Sequence, residues 1–90
     1  MQVKYFADVR KLSGCETEVF EGAAPSLRRL LVELSLKHGA AFRERVFEGD
    51  GLSGTLIVLV NGRGVEHLGG LDAPLGPDDV VAIFPMVAGG

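Results

Sequence analysis

Two short runs constrain this chain more than anything else in it: residues 55–60, "TLIVLV", and residues 80–84, "VVAIF". Both are rich in β-branched residues and lack the polar alternation of a strand with one wet face. The first reads as a strand buried on both faces, and the second as the central strand of the sheet, with a helix shielding one face.

One segment supplies that helix. In "APSLRRLLVELSLKHG", Ser26 is placed to cap the N-terminus, and Leu27, Leu30, Leu31 and Leu34 fall on one face. Gly39 suits the position past the end, and Lys37 and His38 suit the negative end of the helix dipole. Met1, Val3 and Tyr5 alternate with Gln2 and Lys4 as a first strand, with Phe6 out of phase at its end. Residues 8–14 read as a polar loop, and residues 16–20 as a second strand closing a hairpin.

"AAFRERVF" places Phe42 and Val46 four apart, so that a short helical turn buries both. "EGDGLSG" reads as a loop, Asn61-Gly62 as a tight turn and residues 65–68 as a short edge strand. Leu71 and Leu75 anchor the loop that follows. The order β-β-α-β-β with a central last strand is an α+β fold: a mixed sheet of four to five strands packed on one main helix.

Ninety residues with 47% hydrophobic content make one domain that buries roughly 60 to 70 per cent of its unfolded surface. Residues 1–85 form the fold and residues 86–90 a thin tail. Nine basic and twelve acidic side chains leave a net charge of −3 with no basic cluster, which argues against nucleic acid. The opening residues have neither the pattern of a signal peptide nor a membrane-spanning length of apolar sequence. With the single Cys15, this predicts a protein of the reducing cytoplasm with no membrane partner.

Candidate chemistry in the body of the chain is sparse. Gly49, Gly51 and Gly54 match G-x-G-x-x-G, but a dinucleotide motif follows a strand and opens a helix, whereas this copy leads into a strand. His38 and His67 lack partners at metal-ligand spacing and read as surface residues, so no metal site is expected. Cys15 shows no neighbouring base and reads as inert. Asp78-Asp79 belongs to a turn, Gly76-Pro77-Asp78-Asp79.

The ending "IFPMVAGG" stands apart. At a background glycine content near 7 per cent, a chain closes on Gly-Gly by chance about 0.5 per cent of the time. Six extended residues reach about 20 Å, and glycines can thread a channel where any Cβ would collide. Phe84, Pro85, Met86 and Val87 form an apolar patch at the root of the tail, as a docking surface would. Pro85 should end the strand ladder because it lacks an N–H.

"VKYFADVRKLSG", "VLVNGRGV" and "LGPDDVVAIFPMVAGG" together resemble the ubiquitin-like sulfur carrier proteins over nearly the full length, above all the small subunit of molybdopterin synthase. The chain departs from that pattern at Asp78-Asp79, where Gly-Asp is frequent, and at Pro85-Met86, where a double proline is. The resemblance implies a β-grasp fold and a protein that is a substrate and not a catalyst. An activating enzyme of the ubiquitin-activating, adenylyltransferase type would use ATP and magnesium to adenylate the Gly90 carboxylate. A sulfur donor would then displace AMP and leave a thiocarboxylate.

Gly89 and Ala88 would thread the partner's channel, and no cofactor would stay bound to the carrier itself. The acceptor implied is the large subunit of molybdopterin synthase or another sulfur-acceptor enzyme, in molybdenum or tungsten cofactor synthesis or, alternatively, in thiazole, cysteine or tRNA thiolation. Conjugation of Gly90 to lysines, as a protein modifier, and a non-covalent interaction module are the other readings. A plant-type iron–sulfur cluster is excluded, since it needs four cysteines.

Overall fold

The computed structural model describes residues 1–21 and 24–86. Strand β1 (Gln2–Tyr5) turns Val3 and Tyr5 fully inward and Gln2 and Lys4 to solvent, as its alternation requires. The segment expected as a loop is instead helix α1 (Ala7–Ser13). Val9 is buried and Leu12 packs on the core three residues later, so one short apolar face suffices. Gly14, at φ 78°, closes the helix with its N–H on Arg10 O at 2.9 Å. Strand β2 (Thr17–Val19) then pairs antiparallel with β1.

Helix α2 (Leu27–His38) follows the expected pattern: Ser26 Oγ accepts from Arg29 N, and Leu27, Leu30, Leu31 and Leu34 are buried. Each such leucine contributes about 1.5–3 kcal/mol of transfer free energy. Helix α3 (Ala40–Val46) buries Phe42 and Val46. The glycine-rich segment is not a bare loop: β3 (Phe47–Glu48) and β4 (Gly51–Leu52) form a small hairpin, with Phe47 opposite Leu52 and both side chains against the core.

Strand β5 (Leu56–Val60) runs into Asn61 and Gly62, whose φ values of 51° and 84° make the two-residue turn that matches strand twist. Such a turn starts the partner strand at once. The edge strand is therefore β6 (Arg63–Gly64), and residues 65–67 form a 3-10 turn where a strand was expected. Asn61 secures the turn: its Nδ2 donates to Asp79 Oδ1, and its Oδ1 accepts from Val80 N, both at 2.9 Å. Asp79 Oδ2 accepts from Gly76 N at 2.7 Å, closing the turn expected there.

The last strand, β7 (Val80–Pro85), is central. The sheet order is β2-β1-β7-β5-β6, with β1 parallel and β5 antiparallel to β7. The helices cover one face only. Leu56, Val58, Val60, Val81 and Ile83 point into the core, whereas Ile57, Leu59, Ala82 and Phe84 face the other way and stay partly exposed. The expectation that residues 55–60 are buried on both faces is thereby corrected: the described residues supply no second layer.

His38 also departs from its reading as a surface residue. Its side chain is 9% exposed, and its Nε2 lies 2.6 Å from Glu18 Oε1. Tyr5 Oη donates to the same oxygen, and Lys37 Nζ donates to Glu18 Oε2 at 2.5 Å. Tyr5 and Phe42 pack edge to face beside it. One carboxylate thus ties the edge strand β2 to β1 and to the end of α2.

Candidate functional site

The three neighbouring strands β1, β7 and β5 build the open face by register. Lys4 pairs with Ala82, Ala82 with Leu59, and Phe84 with Ile57. Phe6 continues the line of β1 and folds its ring against Phe84, with centroids 5.8 Å apart and planes at 83°. Ala7 takes φ 53° to turn the chain from β1 into α1 at this point, a left-handed conformation that a non-glycine residue rarely adopts. Phe6, Ala7, Leu59, Ala82, Phe84 and Pro85 line a shallow apolar depression of about 510 Å³.

Pro85 occupies a position where its missing N–H matters on one side only. Phe6 N donates to Ile83 O at 3.1 Å; the next rung toward β1 would need an N–H at residue 85. Phe6 O, the acceptor for that rung, instead takes Arg10 N of α1 at 3.4 Å. Toward β5 the pairing continues through Leu56 and Pro85, and Met86 N donates to Thr55 O at 2.8 Å. The ladder against β1 therefore stops at Ile83, short of Pro85, whereas against β5 it runs through Pro85 to Met86, one residue further than expected.

A polar brace holds this exit. Arg45 Nε donates to Asp8 Oδ2 at 2.7 Å, and its Nη1 donates to Thr55 Oγ1 at 3.0 Å, joining α1 and α3 to the residue that pairs with Met86. Ser53 Oγ lies 3.1 Å from Thr55 Oγ1. Met86 is 53% exposed at the rim.

Of the residues expected to dock a partner, Phe84, Pro85 and Met86 lie side by side at this rim, whereas Val87 lies outside the described residues. So do Ala88 and Gly89, expected to thread, and Gly90, expected to carry the reactive carboxyl. Phe6, Leu59 and Ala82 share the depression and were not singled out in the sequence. Their signal was present, since residues 55–60 and 80–84 are apolar at the very positions that would be polar on a wet face.

Among the described residues no three His, Cys, Asp or Glu side chains are grouped to hold a metal, and no helix is long and apolar enough to cross a membrane. Cys15 is half-buried against the core, with its Sγ 3.8 Å from Ser13 O.

A five-stranded mixed sheet whose parallel middle pair is the first and last strand, wrapped on α2, is the β-grasp of the ubiquitin-like proteins. Within that class the chain belongs to the ThiS family of ubiquitin-like sulfur carriers, whose family model matches residues 3–90. Small archaeal modifier protein 3 of Haloferax volcanii is 32% identical, the match covering 100% of this chain and 98% of the relative. A putative molybdopterin converting factor, subunit 1, from Pyrococcus furiosus superposes with a TM-score of 0.76 at 36% identity, covering 96% of this chain and 95% of that one. A chain of the Amycolatopsis orientalis BexX/CysO complex gives 0.84 at 26% identity, covering 99% and 98%. Members of this family are small carrier or modifier proteins.

Proposed function

We propose that the chain carries sulfur as a thiocarboxylate on Gly90, with residues 1–85 as the recognition body and residues 86–90 as the arm that enters partner enzymes. The observation that carries this reading is the open apolar face beside the strand that leads into the Gly-Gly ending. A partner seated on Phe6, Leu59, Ala82 and Phe84 covers the side of β5 and β7 that the fold leaves bare, and receives the chain beyond Met86.

An α-carboxyl has an ordinary pKa of about 3.3 to 3.7, so at neutral pH the Gly90 carboxylate is ionised and attacks the α-phosphate of ATP without a base from this chain. Pyrophosphate, held by magnesium in the activating enzyme, leaves. The terminal sulfur of a persulfide then attacks the acyl carbon and expels AMP. A second thiol cleaves the resulting S–S bond and releases the thiocarboxylate.

The sulfur passes to an acceptor enzyme; synthesis of a molybdenum or tungsten cofactor is the leading destination, supported by the Pyrococcus relative. The Haloferax relative, named a modifier, favours a second use: attack of a substrate lysine on the same acyl-adenylate, forming an isopeptide bond.

Intact mass of the protein isolated from its own cells, and after incubation with an ubiquitin-activating-type enzyme, ATP, magnesium and a persulfide donor, tests the proposal. Replacement of one C-terminal oxygen by sulfur is the expected result, abolished in Gly90→Ala. Sustained adenylation of Gly90 that never yields the sulfur product, while Gly90-dependent conjugates accumulate, would leave only the modifier.

A further inference from the structure

The molecule has a second unpartnered apolar surface, on the helices. α2 buries one leucine face, yet Val32 and Leu36, one turn apart on its outer side, are 39% and 75% exposed. Across from them stand Ala40, Arg43 and Phe47. The corner where α2 meets α3 is built from Ser35, Gly39 and Ala40, too small to close the gap, and a groove of about 310 Å³ remains.

Its charge is unlike that of the molecule. The chain as a whole carries −3, but the groove is flanked by Arg43 along its length and by Arg28 at one end. Neither guanidinium has a carboxylate within ion-pair distance among the described residues. Arg28 Nη1 donates only to the backbone carbonyl of Asp50 at 3.2 Å. Glu33, the acid on α2, is taken by Arg29 at 3.1 Å, and Asp50 is the one acidic side chain lining the groove's Arg28 end.

We infer that this groove docks an acidic amphipathic helix of a partner protein. Arg28, Val32 and Leu36 are each one turn apart and span about 12 Å, so two turns of a partner helix lie along them. Apolar residues at i and i+4 fill the space between Leu36 and Phe47, and carboxylates on the flank meet Arg43 and Arg28. α2 lies on the covered side of the sheet and the Phe6–Phe84 depression on the other, so both surfaces are available at once. The groove does not depend on tail chemistry.

The test uses the full chain, isotopically labelled, and a synthetic helical peptide of about four turns with Leu at i and i+4 and Glu on both flanks. Amide shifts at Val32, Leu36, Ala40 and Phe47 are expected, with Kd weakened at least tenfold by Arg43→Glu and by Leu36→Ser. Both side chains are exposed, so the variants should keep the native spectrum elsewhere, and Phe84→Asp should bind the peptide as the parent does. Absence of binding, shifts centred on Leu59 and Phe84, or equal binding of the same peptide with Lys in place of Glu would overturn the inference. So would concentration-dependent shifts at Val32 and Leu36 without peptide, which would make a second copy the occupant.

Discussion

Glu18 accepts from more side chains than any other described acidic residue. Its carboxylate is 10% exposed and accepts from Tyr5, Lys37 and His38. An ionised carboxylate only accepts, so the proton on His38 is at Nε2. Burial pushes the Glu18 pKa up, but the three donors outweigh it and hold the group below its ordinary 4.5. The folded state therefore binds fewer protons than the unfolded chain between that lowered value and 4.5. The stabilisation is fully present above the unfolded pKa and is lost as pH falls through the folded one. Asp79, lowered by Gly76 N–H and the Asn61 amide, contributes with the same sign. Denaturant unfolding across about pH 3 to 6 should show stability rising with pH, with a shallower slope in Glu18→Gln. Glu18→Ala leaves the buried Tyr5 hydroxyl unpaired and should cost about 2–3 kcal/mol at neutral pH. A second residue-scale test is Ala7→Gly: relief of the positive φ should raise stability by up to about 1 kcal/mol in the same measurement.

Among the elements, β7 explains why a proline is tolerated next to the centre of a sheet. The carbonyl that an N–H at residue 85 would reach, Phe6 O, already accepts from Arg10 N of α1, so Pro85→Ala gains at most a shared acceptor while it loosens the unfolded chain. A loss of about 0.4–1 kcal/mol is expected, read as a lower denaturation midpoint at unchanged m-value. The same element shows what the sequence could and could not disclose. α2 was legible in full because its cap, leucine spacing and closing glycine are local signals. α1 was not, because seven residues with only Ala7, Val9 and Leu12 apolar look like a loop until the core they touch is known. The β3–β4 hairpin was hidden by glycines that mark a turn and a loop equally. The Glu18–His38 pair, twenty residues apart, is a product of topology and has no trace in spacing.

For the whole molecule, the most informative difference concerns the run at residues 55–60. Its lack of alternation reads as burial on both faces, and the inner face is buried; Ile57 and Leu59, with Ala82 and Phe84 of β7, stay partly exposed on a face the described residues do not cover. An apolar face retained beside the end of β7 fits a layer supplied by a partner, and this separates folding from recognition. Leu59→Asp or Phe84→Asp places a charge on a face whose side chains are only partly exposed, so the isolated fold should lose about 1–3 kcal/mol and still stay folded. In the complex the same carboxylate would be buried without a partner, at a cost of several kcal/mol. Either variant should therefore unfold at a lower midpoint, remain folded under assay conditions, and lose at least tenfold in the rate of the proposed adenylation of Gly90, measured by pyrophosphate release. Arg43→Glu, on the far side of the sheet, should leave that rate unchanged. Parental adenylation by Phe84→Asp would show that the open face is not where the enzyme sits, and would send the search for its footprint to the brace of Asp8, Arg45 and Thr55 at the root of the tail.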